Sequence, residues 1–585
     1  MFLKPDPEIR LTSARPLVEI HLPDGRVISG PRRAPVGSFL SILPADGTPP
    51  IVGAIVNGEL RELTYPIAMD ATVQPVTMGE ADGMLIYRRS LVFLLETAFA
   101  QCYPEAELRV DHSVSSGGYF CQVFERASLD EKELSLLEAE MRRLVAADLP
   151  FTRREMPLTE SIEYFRKIGE IDKVRLLKHR TKNYLTVYQL ADHLDYHHGY
   201  MVPSTGYLRW FAITRTGEGF TLRFPRRHAP TELLPLPDYP KLLNTFRLYG
   251  DWLDRLEISS VGALDDAIKA KRGDEIILVS EALHEQHVTE IARRISNRTR
   301  EARLVLIAGP SSSGKTTFSK RLAVQLLAYG IAPFPLAMDD YFVDRELTPL
   351  NEEAEPDYES IRALDLERLN ADLSALIAGK RVRLPHYNFL TGIREETEFV
   401  ELRPDEIIIM EGIHGLNPEL FRLIPMNRTY RIYASALTQI NLDRHNRVST
   451  TDTRLIRRII RDARERGYSA QQTIQRWESV RRGEKRYIFP FQENSNIMFN
   501  SALVYELSAL KPFAEPLLRQ VQVGSREYIE AKRLLALLEW FLPLEIDLIP
   551  DNSILREFIG NSNLQDFKLW HNHHREANPE STPSA

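Results

Sequence analysis

Cysteine is almost missing from this chain: its 585 residues include only Cys102 and Cys121. Two thiols without metal-ligand spacing exclude a disulfide framework and fit a reducing compartment, so a cytoplasmic protein is expected. Long apolar runs are missing as well. No stretch reaches the roughly 18 apolar residues of a membrane span, and the opening MFLKPDPEIR lacks the apolar centre of a signal peptide, so the expectation is a soluble protein with no membrane partner. Nor is there a surplus of positive charge. Lys and Arg number 74 against 81 Asp and Glu, a net charge of -7. That excludes a surface built throughout for nucleic acid and leaves room only for a local basic stripe. Internal repeats are absent.

Length is what the chain has in abundance. A single core stops growing near 250 to 300 residues, so three or more domains are expected. Residues 1–77 hold short alternating stretches, LVEIHL and GAIVNGELREL, around the hairpin signals PDG and NGE, which predicts a small β-rich module. Over 78–225, helical stretches (SLVFLLETAFAQCY, DEKELSLLEAEMRRLVAAD) mix with strand-like YFCQVF and YLRWFAI, the pattern of an α+β domain. The proline-rich PRRHAPTELLPLPDYP opens a helical connector, 226–300. An α/β domain with a parallel sheet is expected over 301–550, then a tail, 551–585, whose polar end HNHHREANPESTPSA is expected to be disordered.

The α/β domain opens with LIAGPSSSGKTTFSKRLAVQL. GPSSSGKT, Gly309 to Thr316, has the form G-x-x-x-x-G-K-[ST] between a strand-like and a helix-like stretch, as a phosphate-binding loop requires. Its glycines let backbone N–H groups turn towards phosphate oxygens, and the following helix adds its positive end. The nucleotide cradle is therefore Gly309, Pro310, Ser311, Ser312, Ser313, Gly314, Lys315, Thr316 and Thr317, with Lys315 on the outer phosphates and Thr316 able to ligate Mg²⁺. Two further strand ends carry acids. APFPLAMDDYF ends in Asp339 and Asp340, which could act on an acceptor hydroxyl or merely cap a turn. DEIIIMEG ends in Glu411, a place for a carboxylate that helps hold Mg²⁺. Downstream, Arg454, Arg457, Arg458, Arg461 and Arg466 form a stripe with three readings: a solvated face, a nucleic-acid patch, or a lid closing over phosphates.

From Arg303 to about Leu503 the ordered motifs GPSSSGKTT, MDDYF, LPHYNF, IIIMEGI and DTRLIRRIIRDARERG resemble the uridine kinase and phosphoribulokinase family. The resemblance implies ATP and Mg²⁺ as cofactors, with Asp339 as catalytic base, Glu411 as the Mg²⁺-linked acid, Tyr387 as an acceptor-pocket aromatic, and Arg458, Arg461 and Arg466 as lid arginines, Arg458 towards the substrate. The chain departs from uridine kinases at Ala354, Gly392 and Tyr468, where the family has aspartate, histidine and arginine near the nucleoside.

Residues 15 to 225 resemble the N-terminal part of threonyl-tRNA synthetase: VEIHLPDGRVISG through IVNGELRELTYPI its TGS module, SLVFLLETAFAQCY through GYMVPSTGYLRWFAI its editing domain. The four metal-site donors of such domains fall on Arg89, Phe93, His197 and Met201, a set that cannot hold zinc, so editing chemistry is expected to be lost. His197 and His198 are expected as a partly exposed loop pair, and His284 and His287 as helix residues without a ligand role. The overall expectation is an ATP-dependent kinase that phosphorylates a hydroxyl of a nucleoside, sugar or related polyol. Two alternatives stand beside it: a P-loop ATPase switch regulating tRNA or ribosome binding through RNA contacts of the front half, and an active trans-editing hydrolase, which the broken ligand set opposes.

Overall fold

The computed structural model describes residues 13, 15–44, 49–114, 117–298, 301–350, 356–357, 359–388 and 391–567. Ala354 and the tail histidines His571, His573 and His574 lie outside them.

The first sheet has five strands, ordered Val27–Pro31, Leu17–His21, Ala71–Thr77, Ile51–Val56, Glu59–Arg61. Leu17–His21 alternates exposed and buried, as a strand covered on one face should. The NGE signal is a tight hairpin, with Asn57 at φ 50° and Gly58 at φ 80°, the left-handed pair that matches strand twist.

Next, the helix Ala81–Cys102 runs between a four-stranded and a three-stranded antiparallel sheet. Leu91, Phe93, Leu94 and Leu95 are all buried, because the helix is covered on several sides. The strand expected over YLRWFAI begins only at Ala212. The reason is local: the Tyr87 hydroxyl donates to the Trp210 carbonyl and accepts from the Trp210 N–H, so a side chain takes the groups a ladder would have used.

Three helices follow, Pro240–Arg255, Val261–Lys269 and Gly273–Ser296. They share one apolar core with Phe165 and Val187 before them and Val305, Ile307 and Ile432 after them. The last large sheet is all parallel, ordered Ala332–Ala337, Glu406–Glu411, Leu304–Ala308, Thr429–Ser435, Ile497–Asn500. Its central strand Leu304–Ala308 is buried throughout, the signature of a sheet covered on both faces. The expected fold class, a multidomain protein with a β-rich module, an α+β unit and a P-loop α/β unit, is what the sheets display. Of the expected tail 551–585, residues up to 567 are described, and part of them packs onto the rest of the chain. Ile554, Leu555 and Phe558 are buried against the P-loop unit, because three apolar side chains within one turn give this segment a face to dock. Among the described residues no helix is long and apolar enough to cross a membrane.

Candidate active site

Three parallel strands deliver the site. Ile307 pairs with Glu411 and Glu411 with Ala337, so the ends of Leu304–Ala308, Glu406–Glu411 and Ala332–Ala337 lie side by side at the carboxyl edge, where open α/β sheets bind ligands. The loop 309–314 leaves the first strand and feeds the helix Lys315–Ala328. Gly309 is required by contact: a Cβ there would stand 1.8 Å from the Ala434 carbonyl oxygen. Gly314 is required by conformation, at φ 79°.

The loop is clamped from behind by the arginine helix, Thr450–Glu465. Glu484 accepts from the Ser311 N–H at 3.0 Å, and Arg454, ion-paired with Glu484, donates to the Ser311 carbonyl at 3.0 Å. Arg457 donates to the Ser312 carbonyl at 3.4 Å and is ion-paired with Glu506 at 2.5 Å. The Ser501 hydroxyl donates to the Ser313 carbonyl. Arg454 and Arg457 are 1% and 0% exposed, so neither belongs to a solvated face or a nucleic-acid patch. Two buried charges are tolerated here because each has its carboxylate and a carbonyl to satisfy.

Arg458 donates to the Ser311 hydroxyl at 2.9 Å and to Asp462 at 3.2 Å. Arg461 and Arg466 also converge on Asp462, at 3.6 and 3.2 Å, and Arg461 lies 3.7 Å from Glu557. The Lys315 ammonium donates to the Pro310 carbonyl at 3.1 Å, and burial pushes its pKa down against the pull of Glu411 and Glu557. The Thr316 hydroxyl donates to Glu411 at 3.0 Å. Burial raises the carboxyls of Glu411 and Asp339 above their ordinary values, with Lys315 opposing in both cases and Asp340 adding to the rise at Asp339.

Asp340 is occupied otherwise. One oxygen lies 2.9 Å from His386 Nδ1 and accepts from the Tyr387 N–H at 3.4 Å, tying the turn Met338–Tyr341 to the hairpin strand Val382–Asn388. Tyr387 is buried, its ring edge-on to Phe342. Two of the departures have visible surroundings. At Gly392, φ 75°, an added Cβ would meet Arg345 Nε at 2.7 Å, and the Tyr468 ring is covered by Arg476 at 4.3 Å.

Sequence reasoning missed several acids that lie against the cradle. Glu557 accepts from the Thr317 hydroxyl at 2.9 Å and from its N–H at 3.3 Å, inside the cradle. Glu359 is pushed up to about 7 by burial and by Glu484, against Arg458 and Lys315. Nothing local marks Glu484, Glu506 or Glu557, since each meets its partner only through the fold.

In the front half, the structure brings Arg89, Phe93, His197 and Met201 together. The Phe93 and His197 rings lie 5.1 Å apart, Arg89 donates to the Tyr200 carbonyl at 2.6 Å, and Met201 is buried. His197 is not a half-exposed loop residue. At 4% exposure it sits 3.1 Å from Glu96, and burial pushes it down to about 3. Beside it, Asp195 is ion-paired with Lys173 and hydrogen-bonded to His445 at 3.0 Å. Glu96, Asp195 and His445 place potential ligand atoms within 4.8 Å of one another, and the Lys173 ammonium, ion-paired with Asp195, already lies among them. His284 and His287 bond the Ala502 carbonyl and Tyr249 respectively.

Residues 304–508 match the Phosphoribulokinase / Uridine kinase family. The N-terminal region is similar to threonine–tRNA ligases. That of Legionella pneumophila (strain Corby) is 35% identical over 166 residues, 28% of this chain and 26% of the relative. That of Halorhodospira halophila is 32% identical over 226 residues, 38% of this chain and 32% of the relative. The chain thus spans about a quarter to a third of the length of these relatives. A solved structure described as a possible uridine kinase from Bacillus stearothermophilus is 23% identical, covering 25% of this chain and 79% of that one, with a TM-score of 0.20.

Proposed function

We propose that the protein is an ATP-dependent kinase that transfers the γ-phosphoryl group to a hydroxyl of a small molecule, a nucleoside, sugar or related polyol. The observation that carries this reading is the convergence, at one sheet edge, of a clamped glycine cradle, Lys315, the Thr316–Glu411 pair and Asp339. In the reading, the cradle 309–317 holds the nucleotide phosphates and Lys315 lies against the outer ones, stabilising charge in the transition state. Asp339 takes the acceptor's hydroxyl proton as that oxygen bonds to the γ-phosphorus. The bond from phosphorus to the β,γ-bridging oxygen breaks, and ADP leaves with its electrons. Arg458, Arg461 and Arg466 turn from Asp462 towards the phosphates, and Tyr387 lines the acceptor pocket. Thr316 and Glu411 are hard oxygen donors suited to Mg²⁺, and the Glu411 carboxyl, raised by burial, is a group that a nearby cation would relieve. Bound there, Mg²⁺ supplies neutralisation of phosphate charge.

In this reading, with bounds at 77, 225, 300 and 550, the chemistry belongs to the unit 301–550. The test is ADP release by the purified protein with and without nucleosides, pentoses, sugar phosphates and cyclitols, with Lys315→Ala as the inactive control. Uridine and cytidine should be poor acceptors, because Gly392 offers no side chain and Tyr468 is engaged by Arg476. A uridine kcat/KM of about 10⁴ M⁻¹s⁻¹ or more, within the usual enzyme range, would overturn that expectation.

The alternative of an ATPase switch draws on one contact. The segment 441–447 is held by the front half, with Asn441 and Arg447 donating to the Asp111 carbonyl and Asn446 to the Tyr196 carbonyl, and it runs straight into the arginine helix behind the P-loop. ADP release that responds to tRNA and to no small molecule would favour this switch over the kinase.

A further inference from the structure

Five cations meet where the front half touches the helix Ala470–Tyr487: Arg88 from the helix Ala81–Cys102, Arg226 and Arg227 from the start of the connector, and Arg481 and Lys485. Their acids are few. Arg227 is ion-paired with Glu478, and Arg481 shares Glu484 with Arg454. Arg88, Arg226 and Lys485 have no carboxylate within ion-pair distance among the described residues. The Nε atoms of Arg88 and Arg226 are both buried and without a hydrogen-bond partner. The guanidinium of Arg88 lies 4.6 Å from the Phe224 ring centroid and that of Arg481 5.6 Å from Phe489, so aromatic faces hold the forks in place.

We infer that this seam is a binding site for a small phosphate-bearing anion, a diphosphate or triphosphate group, separate from the P-loop. Like charges gathered in a partly buried place destabilise a fold unless something offsets them, and the chain's own acids pair only with Arg227 and Arg481 among the five. Arginine forks match phosphate oxygens bidentately, and several uncompensated cations exceed what one carboxylate could neutralise. The neighbours already feel the imbalance. Lys485 is pushed down to about 7 by burial and then by Arg227 and Arg481, and Arg226 down to about 10 by burial and Arg88. The cations come from three separate parts of the chain and converge on one spot instead of forming a stripe, which suits a compact anion. The net charge of -7 also works against a long polyanion. Glu484 separates the cluster from the phosphate loop: Arg481 holds one of its oxygens and the Ser311 N–H the other.

The experiment uses the full chain and inorganic pyrophosphate. In a Lys315→Ala background, which weakens the cradle, calorimetry should still find one pyrophosphate site. Adding Arg226→Gln and Lys485→Gln should weaken that site by roughly tenfold or more, the scale of lost charge-assisted contacts. Trace acylation of Lys485 by acetic anhydride, read by mass spectrometry on the unmutated protein, should fall severalfold with pyrophosphate. The substituted protein should melt no lower than its parent without ligand, since only repulsion is removed, and that comparison separates lost binding from lost folding. A single-stranded RNA oligonucleotide is the second arm. Protection of Lys485 by the RNA alone would overturn the small-anion assignment in favour of a nucleic-acid backbone. Unchanged acylation with both ligands, or pyrophosphate affinity indifferent to the two substitutions, would overturn the site itself.

Discussion

Asp339 and Asp340 are adjacent in sequence and differ in what they touch. Asp340 is bound to His386 and the Tyr387 N–H, which makes it a positioning residue for the hairpin in the proposed mechanism. Asp339→Asn should retain nucleotide binding and lower kcat by about 10², the scale for a positioned general base. Asp340→Asn should act first on the acceptor KM, and steady-state kinetics separate the two. Because burial raises the Asp339 carboxyl, its ionised form appears at higher pH than in an ordinary aspartate near about 3.9. The acid limb of kcat/KM should be displaced upward accordingly and should disappear in the asparagine variant. The pair was legible in the sequence as acids at a strand end, and the resemblance singled out Asp339, but what Asp340 touches was not legible. It depends on His386, whose hairpin reaches Asp340 only through the fold.

The arginine helix shows what periodicity can and cannot convey. Its spacing places Arg454 and Arg457 among Leu455, Ile456 and Ile459, all buried. Their acids, Glu484 and Glu506, lie 30 and 49 residues downstream, so two members of a stripe that the sequence left open as a solvated face, a nucleic-acid patch or a lid become the internal support of a loop. The loop itself was legible because its strand, glycines, lysine and helix are contiguous. Arg457→Met should destabilise the protein by about 3 to 5 kcal/mol, since Glu506, which has no other ion-pair partner among the described residues, would be left buried and unpaired. Adding Glu506→Met should recover much of the loss, and denaturant titration of the three proteins tests both statements. The segment after 550 makes a second element-scale case. Glu557 lies on the Thr317 hydroxyl and N–H, groups that the proposed mechanism assigns to phosphate. Glu557→Gln removes a competing charge and should tighten ATP binding by roughly tenfold, about 1.4 kcal/mol. Weaker binding in that variant would mean that the segment builds the nucleotide pocket.

At the scale of the molecule, both resemblances were legible as separate stretches of sequence, but the clasp between them was not, because it is made of residues that neither stretch marks. His445 enters the polar cluster of the front half, facing Glu96, Asp195, Lys173 and Glu170, with Asp443 and His197 nearby. Burial works against its protonation, yet Glu96 and the hydrogen bond to Asp195 outweigh it and hold His445 up to about 9. An unfolded histidine titrates near about 6.5. The raised value therefore means stabilisation that is fully present below about 6.5 and is lost as pH rises through about 9. Lys173, whose own pKa is raised well above its ordinary value, keeps its charge through that window, while the Glu96 carboxyl, raised well above its ordinary value by burial, gives up its proton at a cost in stability and adds to the loss. Urea denaturation from pH 6 to 10 should show the full chain losing stability across this range, while His445→Gln loses much less. The clasp joins the front half to the segment that leads into the arginine helix, so the same rise in pH should also speed proteolytic cleavage within 436–449 and weaken ATP binding in parallel. Equal pH dependence in the two proteins would show that the front half is joined to the kinase-like unit by the rest of the interface, with His445 contributing only shape.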